Sequence, residues 1–183
     1  DRLLPSVVVC PASLSLNWES EVNKFTPGLR TLVISGTATE RAQLIDDIND
    51  YELVITSYDY VKRDIRLYEQ FNFEYVVIDE AQYIKNQTTK NAKAVKALKG
   101  NIRFALTGTP IENSLAELWS IFDFLTPGYL LSSSRFKKNY ELPIVKEGMK
   151  EAAERLHRLV SPYMLRRLKT DDLKELPEKT ETV

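Results

Sequence analysis

Apolar residues along the chain form short runs separated by more polar stretches. Five runs are rich in β-branched and apolar residues and are predicted to be strands: Ser6 to Cys10, Thr31 to Ile34, Leu53 to Thr56, Tyr75 to Ile78 and Ile102 to Leu106. Such runs are typical of parallel strands that are apolar on both faces. We therefore expect a buried sheet.

The stretches between these runs carry apolar residues at helical spacing. Helices are predicted after Ser13 and Ser15, from Thr39 to Ile48 and from Thr88 to Leu98. Ser13 and Ser15 suit the N-cap of the first helix, and Trp18 within it is assigned to the core. The alternation of strands and helices predicts an α/β fold, in which a parallel sheet has helices on both faces.

After Pro110 the pattern becomes helical. Helices are predicted from Ile111 to Leu125, from Glu151 to Val160 and from Tyr163 to Lys169, and Trp119 lies on the apolar side of the first. We predict an α/β domain over residues 1–127 and a helical subdomain with a linker over residues 128–183.

Polar residues follow four of the five predicted strands. They are Pro11-Ala12-Ser13, Ser57-Tyr58, Asp79-Glu80 and Thr107-Gly108-Thr109-Pro110. Because ligands of open parallel sheets bind beyond the carboxyl ends of the strands, these segments are predicted to converge on one binding edge.

Asp79 and Glu80 are the strongest candidates for chemistry at this edge. A carboxylate at the end of a buried strand can hold hydrated Mg²⁺ beside phosphates, and its neighbour can orient and deprotonate an attacking water. Two adjacent acids also occur as a turn or helix cap, and Gly108 between two threonines is equally typical of a turn before a helix. The residues alone leave both interpretations open.

Composition narrows the classes of function. The chain has 183 residues, of which 43% are hydrophobic and 28% charged, as in ordinary globular proteins. No apolar run approaches the roughly 18 residues of a membrane span. One cysteine and one histidine suit neither an internal disulfide, nor a zinc site, nor a Ser/His/Asp triad.

The net charge of -1 gives the chain no global attraction to nucleic acid, so any contact with DNA is local. Two basic clusters are candidates for such contacts, although runs of this kind are also typical of solvated helix faces. They are Arg135 with Lys137 and Lys138, and Arg166 with Arg167 and Lys169.

Several segments, in order along nearly the whole chain, resemble motifs of the Swi/Snf family of helicase-like ATPases. The resemblance to motifs Ia and Ib is carried by Val8-Val9-Cys10-Pro11-Ala12-Ser13-Leu14 with Asn17-Trp18, and by Val54-Ile55-Thr56-Ser57-Tyr58-Asp59. The resemblance to motifs II and III is carried by Val77-Ile78-Asp79-Glu80-Ala81-Gln82, a DEAQ box, and by Leu106-Thr107-Gly108-Thr109-Pro110-Ile111-Glu112-Asn113. The segment Pro162 to Lys169 resembles the connection to a second motor lobe.

This resemblance implies a RecA-like first lobe of a double-stranded-DNA translocase that uses ATP and Mg²⁺. Asp79 would position Mg²⁺, and Glu80 would be the general base. Four further residues would couple bound nucleotide to lobe closure: Gln82, Thr107, Gly108 and Thr109.

The resemblance also implies partners. Phosphates of one DNA strand would be held, without sequence preference, by Ser13, Thr56, Ser57 and Tyr58. The other partners would be the second RecA-like lobe of the same chain and a DNA-bound protein that the motor remodels or displaces. A membrane is not among them, and the compartment would be a bacterial cytoplasm or nucleoid, or a nucleus.

The sequence departs from the family pattern at motif I, the phosphate-binding loop. None of the six glycines belongs to a Gly-Lys-Ser/Thr sequence. We therefore expect a fragment that lacks the phosphate-loop strand, which in the family's topology lies beside Ile102 to Leu106, and that is inactive alone. The alternatives are a strand-separating helicase, a non-catalytic DNA-binding or interaction module and, more distantly, a metal-dependent nuclease.

Overall fold

A five-stranded parallel sheet forms the centre of the chain. The computed structural model describes residues 4–108 and 114–166. The strands are β1 (Ser6–Cys10), β2 (Thr31–Val33), β3 (Leu53–Ser57), β4 (Phe73–Ile78) and β5 (Gly100–Ala105), and their order in the sheet is β2-β3-β1-β4-β5. All four strand pairs are parallel, so the predicted α/β fold is confirmed.

Helices connect and cover the strands. They are α1 (Ser15–Phe25), α2 (Ala38–Asp46), α3 (Tyr58–Tyr68), α4 (Lys90–Ala97), α5 (Leu115–Leu125), α6 (Ser133–Phe136), α7 (Leu142–Glu147) and α8 (Lys150–Val160). Short 3-10 turns span Ala12–Leu14, Ile48–Asp50, Ala81–Ile84 and Ser161–Tyr163, and a π turn spans Lys137–Glu141. Within the described residues, no helix has the length and apolar character needed to cross a membrane.

The chain divides into two compact units, Asp1–Phe136 and Lys137–Val183. The functional domain boundary that we placed after residue 127 stays a prediction. The predicted helix from Tyr163 to Lys169 is wrong over residues 164–166, which are not helical, and residues 167–169 lie outside the described residues. Pro162 belongs to a 3-10 turn there, and Met164 leaves that turn with an extended backbone (φ -115°, ψ 125°).

The core of the first unit surrounds the middle strands. Val7 and Val9 of β1, Val54 of β3, and Val76 and Ile78 of β4 are fully buried. β-branched residues pack well on a pleated surface and carry no polar group that must be satisfied. The fully buried apolar residues of the sheet therefore gather where β1, β3 and β4 lie side by side.

The prediction that every strand is covered on both faces is wrong for β5. Its Arg103 donates to the carbonyl oxygen of Phe124 in α5 at 3.1 Å, which places α5 on one face. Successive side chains of a strand point to opposite faces. Ile102 and Phe104 lie on the other face and are 44% and 49% exposed. The exposed face continues onto β4, where Tyr75 is 41% exposed and its ring centre lies 6.0 Å from that of Phe104, so cover of this face ends before the β5 edge of the sheet.

A buried ion pair joins α2 to α3. Arg41 donates from Nε and Nη2 to the two carboxylate oxygens of Asp64, at 2.6 and 3.1 Å, and Nη1 donates to the carbonyl oxygen of Gly36 at 2.9 Å. The Arg41 guanidinium also lies 4.5 Å from the ring centre of Tyr60. Every guanidinium nitrogen of Arg41 thus has a hydrogen-bond partner. The negative charge of Asp64 offsets the positive charge of Arg41, which folding removes from water.

We predict that Asp64→Ala destabilises the fold by about 3 kcal/mol or more, since it leaves the Arg41 charge buried without its carboxylate. The matched control lies on the same helix: Asp59 pairs with Lys62, but its side chain is 60% exposed. Asp59→Ala should cost less than about 1 kcal/mol. Urea unfolding measures both values, and equal losses in the two variants would contradict the prediction.

Cys10 ends β1 within the buried core. Its thiol donates to the carbonyl oxygen of Thr56 at 3.7 Å and lies 3.8 Å from Oγ of Ser15. Burial raises the pKa of this thiol above its ordinary value, and the negative charge of Asp79 acts in the same direction. The folded state therefore favours the protonated, unreactive thiol.

We predict that native Cys10 reacts with N-ethylmaleimide at least about a hundredfold more slowly than the urea-unfolded chain, because labelling requires opening of the core. The folded pKa is the higher one, so the stability contributed by this group should fall as pH rises past the ordinary thiol pKa. Labelling at pH 7 to 9, followed by mass spectrometry, measures both rates. Similar rates in the two states would contradict this prediction.

Candidate functional site

The candidate site lies where β4 ends between two neighbouring strands. The N–H of Asp79 donates to the carbonyl oxygen of Val9 in β1 at 2.8 Å. On the other side, the N–H of Leu106 donates to the carbonyl oxygen of Ile78, and the N–H of Ala81 donates to that of Leu106, both at 2.8 Å. The backbone on both sides of Asp79 is therefore fixed by the sheet.

Both carboxylate oxygens of Asp79 have hydrogen-bond partners. Oδ1 accepts from the N–H of Glu80 at 2.8 Å, and Oδ2 accepts from the indole Nε1 of Trp18 at 2.9 Å. The assignment of Trp18 to the core is thus wrong: its ring is half-buried and its N–H serves the site. Trp119 is buried as predicted, and its N–H donates to the carbonyl oxygen of Leu131.

Glu80 adopts a left-handed backbone conformation, with φ 52° and ψ 57°. This conformation is uncommon for a residue with a Cβ and marks local strain. The Glu80 carboxylate accepts from Nε2 of Gln82 at 2.5 Å, and Oε1 of Gln82 accepts from Oγ1 of Thr107 at 3.1 Å. A continuous chain of hydrogen bonds thus joins Glu80 to the segment after β5.

Helix α5 holds the 3-10 turn that carries Gln82. Ser120 is fully buried and donates to the carbonyl oxygen of Ile84, the last residue of that turn, at 2.6 Å. Lys96 of α4 donates to Oγ of Ser120 at 3.2 Å and to the carboxylate of Asp123 at 2.9 Å. Helix α5 therefore supports the turn that carries Gln82 in the Glu80–Gln82–Thr107 chain.

The structure describes two of the three predicted site residues after β5, Thr107 and Gly108. Thr107 is half-buried and joined to Gln82, whereas Gly108 is exposed. A Cβ built on Gly108 has no described heavy atom within 4 Å. Thr109 lies outside the described residues.

The residues predicted to hold DNA phosphates fall into two groups. Ser13 is exposed on the 3-10 turn before α1. Thr56, Ser57 and Tyr58 are 0%, 2% and 2% exposed. These three side chains are therefore not accessible to a phosphate.

The contacts of the three buried residues explain their burial. Thr56 accepts from the hydroxyl of Tyr68 at 3.3 Å, and Ser57 is the N-cap of α3, where its Oγ accepts from the N–H of Tyr60 at 3.2 Å. The hydroxyl of Tyr58 donates to the carbonyl oxygen of Asp79 at 2.6 Å. Burial raises the pKa of Tyr58, as does the charge of Asp79, so this hydroxyl remains a donor at neutral pH.

The predicted N-cap roles of Ser13 and Ser15 are wrong. Helix α1 starts after Leu14, which makes no side-chain capping bond, because the 3-10 turn Ala12–Leu14 leads directly into it. Ser15 is the first residue of α1, and its hydroxyl lies beside the thiol of Cys10. Ser13 has no capping role that would compete with a contact to a ligand.

The basic clusters are exposed wherever the structure describes them. Arg135, Lys137 and Lys138 are exposed, as is Arg166, and Arg167 and Lys169 lie outside the described residues. None of the hydrogen bonds or ion pairs described for the Asp79 site involves them. Their contact with DNA stays a prediction.

The donor set suits a hydrated Mg²⁺ beside nucleotide phosphates. Asp79 and Glu80 are half-buried carboxylates at the sheet edge, and oxygen is the ligand that Mg²⁺ prefers. Mg²⁺ usually takes only one or two protein carboxylates and completes its coordination with water and phosphate oxygens. Of the two acids, Asp79 is fixed more firmly, because both of its oxygens accept hydrogen bonds.

Comparison with known families and proteins identifies the family of the chain. Residues 3–183 match the family described as the SNF2-related domain. The chain is 42% identical to the TATA-binding protein-associated factor MOT1 of Saccharomyces cerevisiae, over 97% of the chain and 10% of MOT1. It is 44% identical to an uncharacterized ATP-dependent helicase of Mycoplasma genitalium, over 97% of the chain and 17% of that protein.

Solved structures of SWI2/SNF2 ATPase cores also match the chain. The Sulfolobus solfataricus SWI2/SNF2 ATPase core in complex with dsDNA matches with a TM-score of 0.86 and 46% identity, over 97% of this chain and 37% of that one. The Sulfolobus solfataricus SWI2/SNF2 ATPase core domain matches with a TM-score of 0.80 and 45% identity, over 96% and 36%. The chain thus spans well under half the length of these relatives. It belongs to the SNF2-related family of helicase-like ATPases, and its parallel sheet has the RecA-like fold of the SWI2/SNF2 ATPase core.

Proposed function

We propose that the chain is part of the first motor lobe of an ATP-dependent double-stranded-DNA translocase, which remodels or displaces DNA-bound proteins. The observation that carries this proposal is the hydrogen-bonded edge at the end of β4, where Asp79, Glu80, Gln82 and Thr107 form one connected site. A carboxylate pair that is linked to the next strand end suits a nucleotide site whose state is transmitted through the lobe.

In this proposal the two carboxylates have different roles. Asp79 holds Mg²⁺, which when bound would offset the charge of the nucleotide phosphates. Glu80 accepts the proton of the attacking water, and Gln82 keeps its carboxylate oriented through the 2.5 Å hydrogen bond. Thr107, with Gly108 and Thr109, responds to nucleotide and passes the change to a second RecA-like lobe.

Duplex DNA is the proposed partner of the segments that follow β1 and β3. Ser13 and the start of α3 lie at the carboxyl ends of β1 and β3, which are paired in register from Ser6 with Leu53 to Cys10 with Ser57. Adjacent strand ends can follow one phosphate backbone. The Sulfolobus relative was solved with dsDNA, which supports this choice of partner.

A strand-separating helicase is the second candidate, because the Mycoplasma relative is named an ATP-dependent helicase. Both functions use the same carboxylates. A strand-displacement assay discriminates them: we expect ATP-dependent displacement of a DNA-bound protein or of a triplex-forming strand, without separation of a plain duplex. Separation of the plain duplex would favour the helicase.

We predict that Glu80→Gln in the whole protein that contains this chain slows single-turnover ATP hydrolysis by about 10² to 10⁴, the usual worth of a positioned general base. Nucleotide and DNA affinities should change little, because the amide keeps the size of the side chain. Asp79→Asn should weaken Mg²⁺-nucleotide binding as well as turnover, since it removes the charge that faces the metal.

The 183-residue chain contains no Gly-Lys-Ser/Thr sequence, so we expect no ATP hydrolysis from it. It is the negative control for this measurement. DNA-stimulated turnover by that chain alone would contradict its expected inactivity. Hydrolysis at the parental rate by Glu80→Gln would show instead that this carboxylate is a structural element of the turn.

We also predict that DNA binding by the whole protein is independent of sequence and sensitive to salt. Contacts to phosphates release counterions, so affinity should fall about tenfold or more between about 50 and 200 mM salt. Fluorescence anisotropy with two unrelated duplexes of equal length measures this. A tenfold preference for one duplex at fixed salt would sink the phosphate-contact proposal.

A further inference from the structure

Two aromatic side chains reach Asp79 from the starts of two helices. Trp18, the fourth residue of α1, donates its indole N–H to the Asp79 carboxylate at 2.9 Å. Tyr58, the first residue of α3, donates its hydroxyl to the Asp79 carbonyl oxygen at 2.6 Å. One helix thus holds the side chain of Asp79 and the other holds its backbone.

The two helices differ in how firmly they are packed. Tyr58, Val61 and Tyr68 of α3 are buried, and Tyr58 also stacks on Tyr83 with ring centres 4.9 Å apart. None of the eleven residues of α1 is buried. Its Leu16 and Phe25 are 72% and 68% exposed. Displacing α1 therefore costs less free energy than displacing α3.

We propose that Trp18 is a positioning residue that couples DNA to the metal-holding carboxylate. This inference rests on the proposed function, in which Ser13 holds a DNA phosphate at the start of α1. The backbone of Asp79 stays fixed by Val9 and Tyr58, so a shift of α1 acts only on the orientation of its carboxylate. DNA that immobilises α1 immobilises the indole, and with it the carboxylate.

The expected sign follows from preorganisation. A carboxylate that is already held in one orientation loses less conformational freedom when it binds a metal, so DNA should lower the Mg²⁺ concentration needed for nucleotide binding. By linkage, Mg²⁺-nucleotide should tighten DNA binding by the same factor. Couplings between sites are typically about fivefold or more.

The test uses Trp18→Phe in the whole protein, which keeps an aromatic ring but removes the N–H. Binding of a fluorescent, non-hydrolysable ATP analogue is titrated against Mg²⁺ with and without duplex DNA, so that no turnover is needed. In the parent protein DNA should lower the half-saturating Mg²⁺ concentration about fivefold or more. In Trp18→Phe this shift should fall below about twofold. Without DNA, the half-saturating Mg²⁺ concentration of the variant should rise about tenfold, as is usual when a residue that hydrogen-bonds to a metal ligand is removed.

Trp119→Phe is the matched control, because Trp119 is buried in α5 and its N–H donates to the carbonyl oxygen of Leu131 instead. This variant should keep the parental response to DNA. A double-mutant cycle adds a second criterion: in an Asp79→Asn background, Trp18→Phe should cause little further change. Thermal unfolding of each variant confirms that it is folded at the assay temperature.

The outcomes separate this inference from the proposed function. Suppose that the parent protein has DNA-stimulated, Mg²⁺-dependent ATPase activity. If DNA then lowers the half-saturating Mg²⁺ concentration of Trp18→Phe as much as that of the parent, the coupling role of Trp18 is overturned. A parent protein whose Mg²⁺ requirement is unaffected by DNA also overturns that role. A parent protein without DNA-stimulated ATPase activity overturns the proposed function itself.

Discussion

The backbone hydrogen bonds that hold the end of β4 between β1 and β5 are the constraint on which the site depends. Val9 accepts from the N–H of Asp79, and Leu106 both donates to Ile78 and accepts from Ala81. Parallel strands in register end at one level, so the segments that follow them are brought together without long loops. A frame of this kind holds the backbone that carries the two adjacent acidic side chains in one arrangement.

Glu80 shows how this frame turns the chain away from the strand. Its left-handed conformation costs of order 1 kcal/mol or more for a residue with a Cβ, so it persists only where neighbouring bonds determine it. Those bonds are present: the N–H of Glu80 donates to Asp79, its carbonyl oxygen accepts from Tyr83, and its carboxylate accepts from Gln82. The strain is placed where two adjacent acids must point to different partners.

Strand runs and their order along the chain were enough to predict the sheet and the edge at which polar residues gather. Coverage of β5 was not predictable, because the burial of Ile102 and Phe104 depends on which element lies beside them. The role of Trp18 was missed for a related reason. A hydropathy pattern registers only an aromatic residue, and the hydrogen-bond partner of its indole, Asp79, lies 61 residues away in the sequence. A usable signal existed, since the first turn of a helix that follows a strand lies at the same sheet edge. The burial of Thr56 and Ser57 was likewise hidden, because their polarity resembles that of exposed strand-end residues.

The magnitudes decide which of these contacts can transmit a signal. A hydrogen bond to a charged group contributes about 1.5 to 3 kcal/mol, which matches the coupling of about 1 to 3 kcal/mol typical between two sites. In the proposed coupling, the bond between Trp18 and Asp79 is the one that ligand binding would affect, because it ends on a helix without buried residues. The bond from Tyr58 ends on a helix whose buried aromatic residues each contribute similar amounts by packing, so the same ligand energy cannot displace it. In this proposal, the fixed backbone and the more easily moved side chain of Asp79 together confine the response of the site to the orientation of one carboxylate.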